Sequence, residues 1–277
     1  MVNKDKQVIK DFGREWSRFS QGQNLSQEEL LDLYNGYFNI FPSDKFLTDK
    51  CIGFDMGCGS GRWAGFIAPK VKKLICVDAS DEALKVARDN LQHFSNCEFL
   101  CSTAEDFDLD NETMDFGYSL GVLHHVTNTE ESLRNCVNKL KKGSPFLLYL
   151  YYKLDNRAVF FKLIWTLSNF LRLFISKLPF SLKKIITDLI AIFVYWPLSK
   201  IAKIVNLLGL DDSSIPLSFY KNSSFYTMRT DSLDRFGTKL EKRHTKKSIA
   251  ELMRKCGLEN IKFSENSPFW VAIGFKS

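Results

Sequence analysis

Residues 51 to 62 read Cys-Ile-Gly-Phe-Asp-Met-Gly-Cys-Gly-Ser-Gly-Arg. A short apolar run, Ile52 to Met56 with Asp55 near its end, stops at Gly57, Gly59 and Gly61, three glycines at alternate positions. A strand ending in such a turn leaves bare backbone at the carboxyl edge of a sheet, where a nucleotide-like ligand can lie without meeting Cβ atoms. The next apolar run, Lys73 to Val77, ends in Asp78, 21 residues after Gly57. That is the distance at which a β-α-β unit brings a carboxylate to a ribose hydroxyl pair.

The register of the glycines separates two nucleotide-binding readings. The dinucleotide fingerprint G-x-G-x-x-G needs a third glycine where this chain has Arg62. The pattern Asp55-x-Gly57-x-Gly59-x-Gly61 instead resembles motif I of the class I S-adenosylmethionine-dependent methyltransferases. The resemblance covers residues 46 to 152 and 245 to 277, about two thirds of the chain. It implies that Asp55, Gly57, Cys58, Gly59 and Gly61 cradle the methionine end of S-adenosylmethionine, with Asp78 and Ala79 at the ribose. Ser102-Thr103-Ala104-Glu105-Asp106-Phe107 looks like the family's adenine loop, with Ala104 and Glu105 on the base edge. Ser119 to Val126, containing Leu120, Gly121, His124 and His125, resembles the segment that passes under the cofactor and opens the acceptor pocket.

Of the two histidines, one can face the pocket as a general base, His125 ahead of His124, because imidazole titrates near neutrality. The plainer reading is a polar cap on the turn before Thr127. Neighbouring residues point about 100° apart on a helix and to opposite faces on a strand, so the pair is a poor metal site, and no metal is expected. Methyl transfer asks little more than in-line placement of an acceptor in a dry site, since the sulfonium is already activated. The lack of an obvious catalytic constellation is therefore no objection.

The elements that must position these residues alternate. Strands are expected at 52–56, 73–77, 98–101, 114–120 and 145–152, with helices at 62–68, 81–94 and 129–140. Ser80 is the expected cap of the second of these helices. A helix at 246–256 and a hairpin of strands 259–264 and 269–275 close the chain. The fold expected is α/β: a doubly wound seven-stranded sheet, the Rossmann-like methyltransferase fold, with an N-terminal helical lid and a helical insertion. The boundaries are 1–45 for the lid, 46–152 for the cofactor-binding core, 153–244 for the insertion or substrate cap, and 245–277 for the helix and hairpin completing the core. The lid reading rests on Phe12, Trp16 and Phe19, spaced as one helical stripe; a helix docked on the sheet edge would read the same.

Hydrophobic residues make up 45% of the chain and charged residues 25%, as in ordinary globular proteins. The polar start, Met1 to Lys10, has no apolar targeting core, which points to the cytoplasm. The seven cysteines form no C-x-x-C pair and read as reduced thiols. The net charge of +6 is uneven: from Lys153 to Leu208, nine Lys or Arg stand against two Asp, so the rest of the chain sums to −1.

That segment is rich in Phe, Leu, Ile and Trp, with breaks expected at Pro179 and Pro197. Its longest charge-free run, Leu189 to Ser199, has 11 residues, against the roughly 20 needed to span a bilayer, so it is not read as transmembrane. Residues 156–210 suit a substrate cap, peripheral membrane contact, or a homodimer interface. A polar stretch follows from Asp211 to His244, in which Arg229 and Arg235 could hold a substrate carboxylate or phosphate, although a solvated loop is the simpler reading. Nucleic acid is disfavoured as a partner, because the basic residues are interleaved with large aliphatics.

The function expected is methyl transfer to a small or lipid-linked acceptor, oxygen first. The alternatives are a membrane-associated protein that binds the cofactor structurally or as a sensor, and, behind it, a nicotinamide-dependent oxidoreductase.

Overall fold

The computed structural model describes residues 26–238 and 240–277. In chain order the elements are α1 (Gln27–Phe38), β1 (Ile52–Met56), α2 (Ala64–Ile67), β2 (Lys73–Asp78), α3 (Asp81–Asn90), β3 (Cys97–Cys101), β4 (Phe116–Leu120), α4 (Thr129–Lys139) and β5 (Pro145–Tyr149). Then come α5 (Val159–Ile175), α6 (Phe180–Ile190), α7 (Trp196–Leu207), α8 (Phe225–Gly237), α9 (Lys246–Lys255), β6 (Leu258–Phe263) and β7 (Val271–Lys276). The described residues divide into two compact units, 32–153 with 240–277, and 26–31 with 154–238. The aromatic stripe Phe12, Trp16 and Phe19 lies outside the described residues.

The first unit is built on a seven-stranded sheet of order β3-β2-β1-β4-β5-β7-β6. The first five strands run parallel, and β7 enters antiparallel between β5 and β6. This is the doubly wound methyltransferase sheet. The central strands are buried on both faces, which is why they read as continuous apolar runs rather than alternating ones. Strand order reverses between β1 and β4, so the carboxyl ends of those two strands flank the switch-point crevice where ligands of open α/β sheets bind.

Two apolar clusters cover the faces, one around Phe54, Leu123, Phe146 and Met253, the other around Tyr34, Ile67, Leu74 and Tyr118. Between β1 and β4 the packing is reciprocal. Gly53 pairs in register with Phe116 and Phe54 with Gly117, each ring lying where a Cβ would stand. An added Cβ on Gly53 would fall 2.2 Å from the Phe116 ring, and one on Gly117 would fall 2.4 Å from that of Phe54.

Several expected boundaries contract. The helix expected over 62–68 is α2, four residues followed by a 3₁₀ turn at Ala68–Lys70, because Pro69 cannot donate to a continuing helix. Helix α3 stops at Asn90, while its Ser80 cap is as expected, accepting from the Ala83 amide. Strand β5 ends at Tyr149 instead of Tyr152, and β4 begins at Phe116 instead of Met114.

In the second unit, α8 packs on α5 and α6, and α7 packs on a 3₁₀ turn at Ser218–Asn222. Two expectations fail here. Pro197 does not break the chain: helix runs unbroken from Phe180 to Leu207, 28 residues. A π turn at Ala191–Tyr195 precedes the proline and absorbs the hydrogen bond that its missing N–H and ring forbid. The helix is therefore long and apolar enough to cross a membrane by length and composition, contrary to the estimate from the charge-free run. The second failure is the polar stretch after Asp211, which contains α8 instead of a solvated loop. Ser224 caps α8 by accepting from Thr227, and Met228, Leu233 and Phe236 bury an apolar stripe that the polar residues between them obscured in the sequence.

Candidate cofactor and acceptor site

The glycine loop follows β1 at the switch point. Gly57, Gly59 and Gly61 all adopt left-handed backbone, at φ of +79°, +55° and +77°. The Gly57 and Cys58 amides donate to the Val77 carbonyl at 2.7 and 3.0 Å, folding the loop over the end of β2. Gly59 N–H donates to Asp78 Oδ2 and Ser80 N–H to Asp78 Oδ1, both at 2.9 Å, so the loop amides orient the ribose-type carboxylate. Loss of solvation raises the Asp78 carboxyl above its ordinary range, against the amides of Ser80, Gly59 and Ala79 that lower it.

The glycines do different work. A Cβ on Gly57 would fall 2.3 Å from Val122, and one on Gly61 2.7 Å from Leu91, so those two are required for packing of the loop on its neighbours. Gly121, at φ +79° after β4, has nothing within 4 Å of its Cβ position. Space beside bare backbone at a strand's carboxyl end is what a cofactor cradle requires. Cys58 turns inward, buried, its amide already spent on Val77. Asp55 is buried, and burial, opposed by the Tyr118 hydroxyl and aided by the charge of Asp78, pushes its carboxyl up to about 8. Its Oδ2 has no hydrogen-bond partner among the described residues. A buried carboxylate in that condition fits a ligand that brings hydrogen-bond donors.

The loop after β3 is tied to α4. Glu105 accepts from Ser132 Oγ at 2.9 Å, and the Ala104 carbonyl accepts from Asn135 Nδ2 at 3.0 Å. Ala104 itself is buried. Leu120 and Gly121 end β4, with the Gly121 amide donating to the Tyr149 carbonyl.

Both histidines are buried, but their ring contacts differ. His124 is fully buried, its ring stacked on Tyr151 at 3.8 Å, and neither ring nitrogen has a hydrogen-bond partner among the described residues. Burial, then the neighbouring His125, Arg243 and His244, hold its pKa well below the ordinary imidazole value. It is a neutral ring with little basicity, a poor base. His125 places Nδ1 2.7 Å from the Leu240 carbonyl. A carbonyl can only accept, so in the neutral ring Nδ1 carries the proton and Nε2 is the basic nitrogen.

Sequence reasoning missed an aromatic wall. Tyr37 meets Trp63 at 5.1 Å and Tyr149 at 5.2 Å, Tyr149 meets Tyr151 at 6.1 Å, and the Arg243 guanidinium lies 5.4 Å over the Tyr151 ring. Arg243 also donates to Glu241 at 2.7 Å and to the Tyr152 carbonyl at 3.1 Å. Residues 242–244 run beside 151–153, with the Lys242 amide on the His124 carbonyl and the His244 amide on that of Tyr151. The only sequence signal was Tyr149 and Tyr151, two residues apart and so on one side of an extended strand end. Arg229, considered for a substrate anion, instead spends its fork on Asp188 with two bonds of 2.9 Å. Among the described residues no cluster of three His, Cys, Asp or Glu could hold a metal ion.

A seven-stranded sheet of this order, with a left-handed glycine loop and an amide-held carboxylate at its switch point, defines a nucleotide-cofactor-binding fold. Residues 54–148 match the family model described as a methyltransferase domain. The tRNA (carboxymethyluridine(34)-5-O)-methyltransferase of Saccharomyces cerevisiae is 33% identical over 105 residues, 36% of this chain and 35% of that protein. The ubiquinone biosynthesis O-methyltransferase of Aliivibrio fischeri is 31% identical over 107 residues, 38% of this chain and 44% of that one. The match to these curated relatives thus spans less than half of their length. The crystal structure of a SAM-dependent methyltransferase from Thermotoga maritima superimposes with a TM-score of 0.52 at 18% identity, covering 98% of this chain and all of that one. Residues 54–148 thus carry a methyltransferase domain, and the chain resembles S-adenosylmethionine-dependent methyltransferases in sequence there and in fold throughout.

Proposed function

We propose that this chain catalyses methyl transfer from S-adenosylmethionine to a small or lipid-linked metabolite, with oxygen as the acceptor atom. The observation that carries the reading is the Asp78 carboxylate, held by the Gly59 and Ser80 amides at the mouth of a left-handed glycine loop. A carboxylate fixed by two amides keeps lone pairs for the two hydroxyls of a ribose. Gly59, Gly61 and Asp55 would hold the methionine end, Ala104 and Glu105 the base, and Leu120 and Gly121 the floor. Core residues 46–152 and 245–277 would bind the cofactor, and residues 153–244 would set acceptor preference.

When bound, the cofactor supplies a methyl group already activated on a sulfonium. The chain's own part is to place the acceptor and keep water out. Tyr37, Trp63, Tyr149 and Tyr151 offer aromatic surface for an apolar or ring-bearing acceptor. His125 Nε2, buried in this structure, would take the proton of an acceptor hydroxyl only once acceptor binding opens a path to it, while Nδ1, bonded to the Leu240 carbonyl, fixes the ring. His124, buried and neutral, serves to pack Tyr151.

Two relatives are named as O-methyltransferases, which supports oxygen, and the ubiquinone enzyme supports an apolar acceptor. The tRNA enzyme supports a second reading, a modified RNA base.

The test is isothermal calorimetry with S-adenosylmethionine and its demethylated product on wild type and Asp78→Ala. It is followed by product release on a panel of phenolic, carboxylate, amine and carboxymethyluridine-bearing RNA acceptors. Affinity on the order of micromolar that collapses in the variant is expected. No heat with wild type, in folded protein, sinks the reading, and turnover on RNA alone selects the second one.

A further inference from the structure

Water-soluble helical layers turn their apolar stripes inward. The second unit buries a small apolar cluster but leaves many large apolar side chains exposed. Along the helix from Phe180 to Leu207 the buried positions are Lys183, Thr187, Ala191, Tyr195, Ser199 and Ala202, a stripe of small and polar residues. The interior they face holds that apolar cluster, Ile175, Tyr195, Met228 and Phe236, together with many polar contacts. Ser232 Oγ donates to the Thr187 carbonyl, Lys183 Nζ to the Gly237 carbonyl, and Arg172 to the Thr238 carbonyl, while Arg229 and Asp188 form a fork.

The large apolar side chains point outward. Among the described residues, every exposed large hydrophobic except Leu31 falls between Val159 and Phe225. Phe170 and Phe174 on α5, Leu182 and Ile185 on α6, Phe193 in the π turn, and Trp196 on α7 illustrate this exposed apolar surface. A patch of that extent marks an interaction surface rather than scattered surface apolar residues.

Charge identifies the partner. Lys162, Lys177, Lys200 and Lys203 are exposed and Lys184 half-buried, and none makes an ion pair among the described residues. Asp188 is the sole acid between Val159 and Leu207, and Arg229 already neutralises it. Two copies meeting on this face would bring unpaired lysines against lysines. An anionic surface would pair them, with the long side chains reaching from the apolar face to headgroup level.

A crossing helix is the wrong geometry despite its length. One side of α6 is committed to α8, which carries Arg229, Asp231, Asp234 and Arg235, and those groups could not enter hydrocarbon. We propose that the outer face of α5, α6 and α7 docks in the plane of an anionic lipid bilayer. Its Leu, Ile, Phe and Trp side chains enter the acyl boundary and its lysines meet headgroup phosphates.

The test floats the full chain with vesicles of phosphatidylcholine and phosphatidylglycerol, and with phosphatidylcholine alone. Wild type should bind the anionic vesicles and be weakened by salt, which screens the lysines. Phe170 and Phe193 are 64% and 72% exposed, so Phe170→Glu/Phe193→Glu should fold normally. That variant should lose about tenfold in vesicle binding while keeping wild-type circular dichroism and S-adenosylmethionine affinity. Lys200→Glu/Lys203→Glu should abolish the preference for anionic vesicles. Wild type that ignores both vesicles, or a Glu variant that binds as well as wild type, overturns the proposal. So does a stable dimer that the Phe variant converts to monomer with no vesicle binding, since a second copy would then cover the face. Cofactor calorimetry reads the methyltransferase reading separately, so either can fail alone.

Discussion

Gly121→Ala separates space that belongs to a ligand from space that the fold merely leaves open. Gly121 and Gly57 share a backbone φ of +79°, so an alanine at either is strained by about 1–2 kcal/mol. They differ in what the new methyl meets. At Gly57 it would fall 2.3 and 2.5 Å from the two methyls of Val122, adding about 1–3 kcal/mol of overpacking. At Gly121 nothing lies within 4 Å, so the strain is the whole cost. At roughly 2–4 °C per kcal/mol for a domain of this size, Gly121→Ala should melt about 2–8 °C below wild type, and Gly57→Ala lower still. Calorimetry should then show the opposite emphasis for Gly121→Ala: a modest stability loss, but at least about tenfold weaker cofactor binding, equivalent to about 1.4 kcal/mol. Under the proposed placement of the cofactor, the added methyl would stand in its space. Wild-type affinity in Gly121→Ala, with the expected small melting shift, would mean that the open space is not cofactor space. A melting loss equal to that of Gly57→Ala would mean that the steric reasoning is wrong.

Two further expectations concern stability. Asp55 is held protonated up to about pH 8, and Asp78 is raised for the same reason, loss of solvation. Between about pH 4 and 8 folded Asp55 keeps a proton that the unfolded chain releases, so it makes stability fall as pH rises, and Asp78 acts in the same direction. Asp55→Asn should flatten that decline in a pH series of thermal melts; parallel curves for variant and wild type would reject the assignment. Gly117→Ala would place a methyl 2.4 Å from the Phe54 ring and 3.1 Å from Phe146, costing about 1–3 kcal/mol by overpacking. Trimming Phe54 to Leu in the same chain should recover part of the loss, and additive melting shifts would count against the reciprocal packing.

The glycine turn was legible because its backbone requirement is local. Alternate glycines after an apolar run specify a left-handed turn at a strand end, and β1 to β2 is the shortest crossover that can deliver Asp78 to it. The same local rules placed every strand of the sheet, apart from trimmed ends, and the Ser80 cap. What they could not do was distinguish one glycine from another. Gly57 is needed for Val122 and Gly61 for Leu91, and those neighbours arrive from other crossovers.

The aromatic wall is likewise non-local. Tyr37, Trp63, Tyr149 and Tyr151 come from three separate stretches, and Arg243 joins them only because the chain returns alongside residues 151–153. In the second unit, the abundance of Phe, Leu and lysine was plain in the sequence, but not which side would be buried. In the sequence alone, periodicity marked the strands and helices, and the resemblance of the glycine motif to a known family pointed to the cofactor class. Packing decided that His124 is shielded, that Arg229 serves Asp188, and that the apolar side of α5, α6 and α7 faces outward, because burial and pairing depend on which distant segment supplies the other half of each contact.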